Sequence, residues 1–309
     1  MIGLKDCLLH KADNTSYNLK LGRKHCKRST MQKYLARFIP NFLKPTLKRI
    51  YYFSLYVIVT LKGGDSMIPP KSIIFVGHGD FEEIGQQFKG YFIALADLQP
   101  NHRVLDVGCG IGRMAVPLTN YLSKEGEYWG FDINKMGIEW CKRRISRRFS
   151  NFHFQHIDIY NKIYNPSGKV RARDLHFPFD HEFFDFVFLT SVFTHMLPSD
   201  IENYLSEISR VLKTGRRCLI TFFILNEESE NLIRSGHSTL DFRYNINGYL
   251  TINENDPEAA VAYNEEFVIR LFKKYGLQIT QPIHYGSWCK RDSFLTYQDL
   301  IIATKNNSN

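Results

Sequence analysis

Apolar and polar positions change period several times along this chain, and the changes divide it into elements. Between residues 81 and 98, Phe81, Ile84, Phe88, Tyr91, Phe92 and Leu95 recur at helical spacing and predict a helix with one apolar face. Short apolar runs then alternate with helical periodicity. Strands are predicted at Arg103–Val107, Tyr128–Phe131, Phe152–Ile157 and Phe184–Leu189. Helices near Gly112–Leu122 and Lys135–Arg148 separate the first three, and a loop over 160–179 with Asn165-Pro166-Ser167-Gly168 precedes the fourth. A helix over Pro198–Leu212, with Ile201, Tyr204, Leu205, Ile208 and Leu212 on one face, leads to a strand at Arg217–Phe223. A polar insertion over 226–262 comes next, then a helix at Glu265–Tyr275 and strands at Leu277–Ile283 and Tyr297–Ala303. Strands alternating with helices predict an α/β domain with a doubly wound, mostly parallel sheet.

The first 62 residues follow no such pattern. Residues 1–30 are polar and basic, and 31–61 are basic and aromatic, with Lys44, Lys48 and Arg49 beside Tyr51, Tyr52 and Phe53. The longest apolar run, Ile50–Leu61, has 12 residues and contains Ser54 and Thr60. A bilayer-spanning helix needs about 20 apolar residues, and no small-residue cleavage site marks a signal peptide. Two readings remain for 31–61: an amphipathic helix making peripheral membrane contact, or a helix packed on the domain's own flank. The division is therefore a basic N-terminal extension, 1–62, helical in part, and a catalytic domain, 63–309.

Charge follows the same division. The formal net charge of +9 arises in residues 1–62, where 13 Lys/Arg face Asp6 and Asp13; the remainder carries 27 basic and 29 acidic residues. A slightly acidic domain argues against a nucleic-acid partner. Cys7, Cys26, Cys109, Cys141, Cys218 and Cys289 include no C-x-x-C pair, which fits a reducing cytoplasm and neither a disulfide framework nor structural zinc.

The candidate chemistry begins at Val104–Gly112, VLDVGCGIG, an apolar strand that breaks into three alternating glycines. Glycine has no Cβ and tolerates positive φ, so this segment can turn tightly into a helix, keep its first N–H groups free and approach a ligand closely. A plain glycine-rich turn explains the glycines alone. Asp132, at the end of the next strand, adds a carboxylate where a ribose is commonly held. The order G-x-G-x-G differs from the dinucleotide order G-x-G-x-x-G.

As VLDVGCGIGR the segment resembles motif I of the class I S-adenosylmethionine-dependent methyltransferases, and further segments follow in family order over roughly residues 77 to 304. The resemblance implies a seven-stranded Rossmann-like sheet and S-adenosylmethionine as cofactor. It implies that Gly108, Cys109, Gly110 and Gly112 pass the methionyl and ribose parts, with Asp106 supporting the turn. Asp132 then holds the ribose hydroxyls, Ile133 covers an adenine face, and Asp158 and Ile159 stand near the adenine amino group. Arg113 is placed to reach the cofactor carboxylate or an acidic substrate, or else is a solvated first-turn arginine. In Val76–Asp80, His78 and Asp80 are candidates for a lid, against a plain loop with Asp80 as helix N-cap.

In this fold the end of strand four faces the methyl group. Here it reads Thr190-Ser191-Val192-Phe193-Thr194-His195, with Thr190 beside the cofactor. His195 is the general-base candidate, because a histidine ordinarily titrates near neutrality; a buried or capping histidine is the alternative. Ser191 and Thr194 would orient it or the acceptor. Tyr263, Tyr285 and Trp288, with Glu265 and the segment Tyr297-Gln298-Asp299, are expected to line the acceptor pocket, Trp288 as an aromatic wall or else as core. The stretch TSVF is not the D/N-P-P-F/Y motif of nucleobase amino-methylation, the chain has no Pro-Cys pair, and no Asp-Asn pair follows strand four, so no metal is expected. The reading is a cytoplasmic enzyme that methylates a small molecule, at an oxygen of a sugar, lipid or secondary metabolite. A protein or RNA methyltransferase using the basic arm, or a module that only binds the cofactor, are the alternatives.

Overall fold

The computed structural model describes residues 66–306, except 72, 76, 78, 163 and 164. The basic extension, with its expected membrane contact through 31–61, and the lid candidate His78 lie outside the described residues.

Helix α1 (Phe81–Ala94) begins where the Asp80 carboxylate accepts the Glu82 and Glu83 N–H groups, each at 3.0 Å, a side-chain N-cap. The strands that follow are β1 (Arg103–Val107), β2 (Glu127–Asp132), β3 (Phe152–His156), β4 (Phe184–Leu189) and β5 (Leu212–Phe222). With the late β10 (Leu277–Ile279) and β11 (Asp299–Lys305) they form one seven-stranded sheet, in the order β3-β2-β1-β4-β5-β11-β10. Strands β1 to β5 run parallel, and β11 is antiparallel to both of its neighbours. All six residues of β4 are buried, as expected of a central parallel strand covered on both faces.

The two helices between the first three strands are shorter than their apolar pattern predicts. Where Gly112–Leu122 was expected, α2 covers only Ala115–Leu118 between turns. Pro117 has no N–H to give the Arg113 carbonyl, and Thr119 Oγ1 donates to the Val116 carbonyl at 2.7 Å. The helix expected over Lys135–Arg148 is α3 (Lys135–Cys141), which widens into a π-helical turn at Lys142–Ser146. That turn sets buried Ile145 beneath the glycine turn: a Cβ on Gly112 would stand 3.0 Å from Ile145 Cδ1 and from Cys141 Sγ. Helix α4 (Pro198–Val211) follows β4.

The insertion is structured. Strand β6 (Ile224–Leu225), helix α5 (Glu227–Arg234), and strands β7 (Tyr244–Ile246), β8 (Tyr249–Thr251) and β9 (Val261–Asn264) include a second sheet ordered β6-β9-β8-β7. Asn247 and Gly248, with φ of 51° and 95°, make the two-residue turn between β7 and β8, the Asn-Gly connection that matches strand twist. Phe223, Leu225, Phe242, Ala262 and Trp288 form this part's own apolar cluster. Helix α6 (Glu265–Lys274) returns the chain to the main sheet. The strand expected over Leu277–Ile283 ends at Ile279, and His284 pairs again with Leu300 through a single bridge.

Candidate active site

The glycine turn is bound to β2 by its own backbone. Gly108 and Cys109 N–H groups both donate to the Phe131 carbonyl, at 2.9 and 3.0 Å, and Gly112 N–H donates to the Cys109 carbonyl at 2.9 Å. Gly110 N–H donates to Asp132 Oδ2 at 2.8 Å, while Asn134 N–H donates to Oδ1 at 2.6 Å. Of the first N–H groups of the expected helix, that of Gly112 is therefore taken up within the turn. Asp132 orders the turn, and each of its oxygens keeps a second lone pair for a ribose hydroxyl. Burial pushes its carboxyl above the ordinary range, against the pull of those two N–H groups. Gly108 sits at φ +83°, and a Cβ there would lie 2.5 Å from Val192 Cγ2. Glycine alone lets the turn lie against the loop that follows β4.

Asp106 is buried at the end of β1, with Oδ2 accepting the Tyr128 hydroxyl at 2.5 Å. Oδ1 has no hydrogen-bond partner among the described residues. Burial raises its pKa to about 8, aided by the neighbouring Asp132 charge and opposed by Tyr128. The fold therefore favours the protonated acid, whereas the unfolded chain ionises near 3.8. This contribution to stability is fully present below about pH 4 and is lost as pH rises through about 8. Asp299, raised to about 6 chiefly by burial, has the same sign and a lower window. Urea midpoints of the cofactor-free protein are expected to fall between pH 6 and 8, and Asp106→Asn to flatten that interval. An equal fall in the variant would remove Asp106 as the cause.

The other cofactor candidates divide. Arg113 donates from one terminal nitrogen to the Gly77 carbonyl at 3.3 Å and stands 5.7 Å from the centre of the Phe81 ring. It ties the segment before α1 to the glycine turn, so the alternative of a solvated arginine does not hold. Ile133 is half-buried beside the turn, and its carbonyl faces His156 Nε2 at 3.2 Å. Asp158 Oδ1 accepts Asn165 Nδ2 at 3.0 Å, and Ile159 is buried and bridged to Val170. This pair therefore anchors the start of the 160–179 loop. Thr190 is half-buried at the end of β4.

Beyond Thr190 the chain makes a constrained loop. Ser191 has a positive φ of 59°, unusual for a residue with a Cβ. Its N–H donates to the buried Thr221 Oγ1 at 2.8 Å and its Oγ to Gln298 Oε1 at 3.0 Å. Three strand ends, β4, β5 and β11, thus meet at Ser191. A 3-10 turn, Phe193–His195, leaves His195 exposed, with Nδ1 3.0 Å from the Glu258 carbonyl oxygen. Thr194 is buried, and its Oγ1 has no partner among the described residues.

Two expected pocket aromatics belong to the interior. Tyr263 is 1% exposed and donates its hydroxyl to the Met196 carbonyl at 2.6 Å. Trp288 is fully buried, with Nε1 donating to Asp299 Oδ2 at 2.7 Å. Neither offers a face to an acceptor. Tyr285 is half-buried and donates to Glu265 Oε2 at 2.8 Å; burial, then the Glu265 charge, push it up to about 12. Gln298 and Asp299, expected to line the pocket, instead hold Ser191 and the Trp288 indole, and sequence reasoning missed Thr221, Glu258 and Arg291. For Asp299 the lone acid opening the apolar strand DLIIATK was the signal, and burial puts it in the interior and not at the pocket. Glu258 had none, because its backbone carbonyl makes the contact.

The cradle fits S-adenosylmethionine on two counts. Gly108 has no room for a Cβ, which would stand 2.5 Å from Val192 Cγ2, so the turn meets the β4 loop with bare backbone, and the unpartnered Asp106 oxygen suits a ligand bringing a hydrogen-bond donor. A family model described as a methyltransferase domain matches residues 105–220. The fatty-acid O-methyltransferase of Mycolicibacterium smegmatis is 30% identical over 164 residues, 53% of this chain and 52% of that protein. The ubiquinone/menaquinone biosynthesis C-methyltransferase of Burkholderia multivorans is 26% identical over 136 residues, 44% of this chain and 49% of its own length. The chain thus spans about half the length of the curated relatives it matches. A solved structure from Pyrococcus horikoshii superposes with a TM-score of 0.50 at 18% identity, over 72% of this chain and 90% of that one, a likeness of fold. Residues 105–220 are thus a methyltransferase domain by family match, and the strand order and the glycine turn with its strand-end acid are those of the class I S-adenosylmethionine-dependent fold.

Proposed function

We propose that this protein transfers the methyl group of S-adenosylmethionine to an oxygen of a small-molecule acceptor, with His195 as general base. One observation carries the reading: the Gly108 Cβ position lies 2.5 Å from Val192, so the turn assigned to the cofactor touches the loop that bears Ser191 and His195. The relative described as a fatty-acid O-methyltransferase supports an oxygen acceptor. The bound cofactor supplies an electrophilic methyl group on a sulfonium sulfur. The chain's part is to align the acceptor and take its proton. Asp132 and the glycine turn hold the ribose side, with Asp106 supporting the turn from the end of β1. Ser191, fixed by Thr221 and Gln298, orients the acceptor hydroxyl, and His195 Nε2 removes its proton.

Calorimetric titration with S-adenosylmethionine tests the cofactor half. Asp132→Ala removes a charged acceptor and is expected to weaken binding about 10- to 100-fold. Gly110→Arg is expected to eliminate the binding heat, because position 110 has φ +58° and lies within the turn. Unaltered binding in both variants would refute the site. Labelled cofactor incubated with fractionated cell extract identifies the acceptor by which fraction takes up the methyl group.

A further inference from the structure

The second sheet, not the main one, holds His195. The partner of Nδ1 is the Glu258 carbonyl oxygen at 3.0 Å, in the turn Pro257–Ala259. A carbonyl only accepts, so Nδ1 carries the proton of this contact, and the neutral ring keeps its lone pair on Nε2. The turn is itself fixed from β8, where fully buried Thr251 donates its Oγ1 to the Pro257 carbonyl at 2.9 Å. From β9, Tyr263 donates to the Met196 carbonyl at 2.6 Å, one residue past His195. Its ring stacks on Phe267 with centroids 5.6 Å apart and packs by Tyr249 at 6.0 Å, which sets the direction of the hydroxyl. One residue therefore holds the imidazole's partner and the other holds the backbone beside the imidazole.

We propose that Thr251 and Tyr263 are positioning residues that keep His195 as the Nδ1–H tautomer, so that Nε2 is the nitrogen that receives the acceptor's proton. The inference rests on His195 as the base of the proposed function. Neither residue touches the acceptor; both act through the β4 loop. The need is physical: a free imidazole favours the Nε2–H tautomer, which has no lone pair at Nε2. A histidine that must accept a proton there requires an acceptor at Nδ1, and a backbone carbonyl cannot offer a competing donor. The insertion thereby has a role in the chemistry without supplying a reacting group.

Long-range nitrogen–proton NMR of 15N-histidine-labelled protein reads the tautomer directly. It is recorded well above the ordinary histidine pKa of about 6.5, and His195 is assigned by its loss in His195→Ala. The wild type is expected in the Nδ1–H form. Thr251→Val and Tyr263→Phe are expected to shift the population toward Nε2–H, and Thr251→Ser, which keeps the hydroxyl, to retain the wild-type form. If Tyr263→Phe loses its dispersed amide spectrum, the Thr251 pair carries the comparison. A wild-type His195 in the Nε2–H form, or one population across the wild type and the folded variants, overturns the proposal. The readout needs neither acceptor nor turnover. A His195→Ala rate loss without a tautomer effect defeats the positioning role alone, and a tautomer effect with a normal His195→Ala rate defeats the base.

Discussion

Arg291→Ala is expected to cost about 3–5 kcal/mol of folding stability, a fall in Tm of roughly 6–20 °C for a domain of this size. Arg291 is 5% exposed and pairs with fully buried Asp299 at 3.1 Å. It also donates to the Gly286 carbonyl at 3.0 Å, to Asn226 Oδ1 at 3.2 Å and to Glu228 Oε2 at 2.9 Å. Its guanidinium stands 4.9 Å from the centre of the Tyr285 ring. Removing it leaves a buried carboxylate without a counter-charge, and that penalty exceeds anything gained by losing a desolvated cation. Replacing both partners by apolar residues is often harmless in a buried pair, but not in this one. Asp299 also accepts the Ile224 and Gly286 N–H groups at 2.6 and 2.7 Å and the Trp288 indole, and these donors would be left buried and unpaired. Thermal unfolding followed by circular dichroism measures the shift. A Tm within a degree or two of wild type would mean that the pair contributes no net stability.

His195→Ala is expected to lower the rate of methyl transfer by about 10²- to 10⁴-fold, which corresponds to about 3–5 kcal/mol of transition-state stabilisation. The loss should fall on kcat, with cofactor affinity unchanged, because His195 is exposed on the β4 loop and its ring meets the Glu258 backbone carbonyl, not the glycine turn. Initial rates with the labelled cofactor and the active extract fraction give the number. A normal rate would show that His195 is a surface residue tied to the insertion, and that the acceptor needs no base from this position.

Much of this site was legible in the chain because its signals are local. The G-x-G-x-G turn after an apolar strand needs only a few neighbouring residues to dictate its backbone, and Asp132 follows from the end of the next strand. The Asn247-Gly248 hairpin was equally local, yet the polar composition of 226–262 hid it. Other features were not local at all. Trp288 and Tyr263 carry the residue types of an aromatic pocket, and burial, of Trp288 in the insertion's apolar cluster and of Tyr263 in the main core, decides that they serve elsewhere. The late start of α2 reflects Pro117, a signal that apolar spacing passes over.

The chain by itself determined the alternation of strands and helices, the glycine turn and the acids at strand ends, since these depend on period and on backbone freedom at single positions. Only the tertiary structure decided which groups Asp132 and Arg113 bind, that Ser191 is clamped by Thr221 and Gln298, and that His195 meets the Glu258 carbonyl. Those contacts join residues 22 to 107 positions apart, and several end on backbone atoms that every residue shares. Residue type then carries no information about the partner, and packing alone selects it.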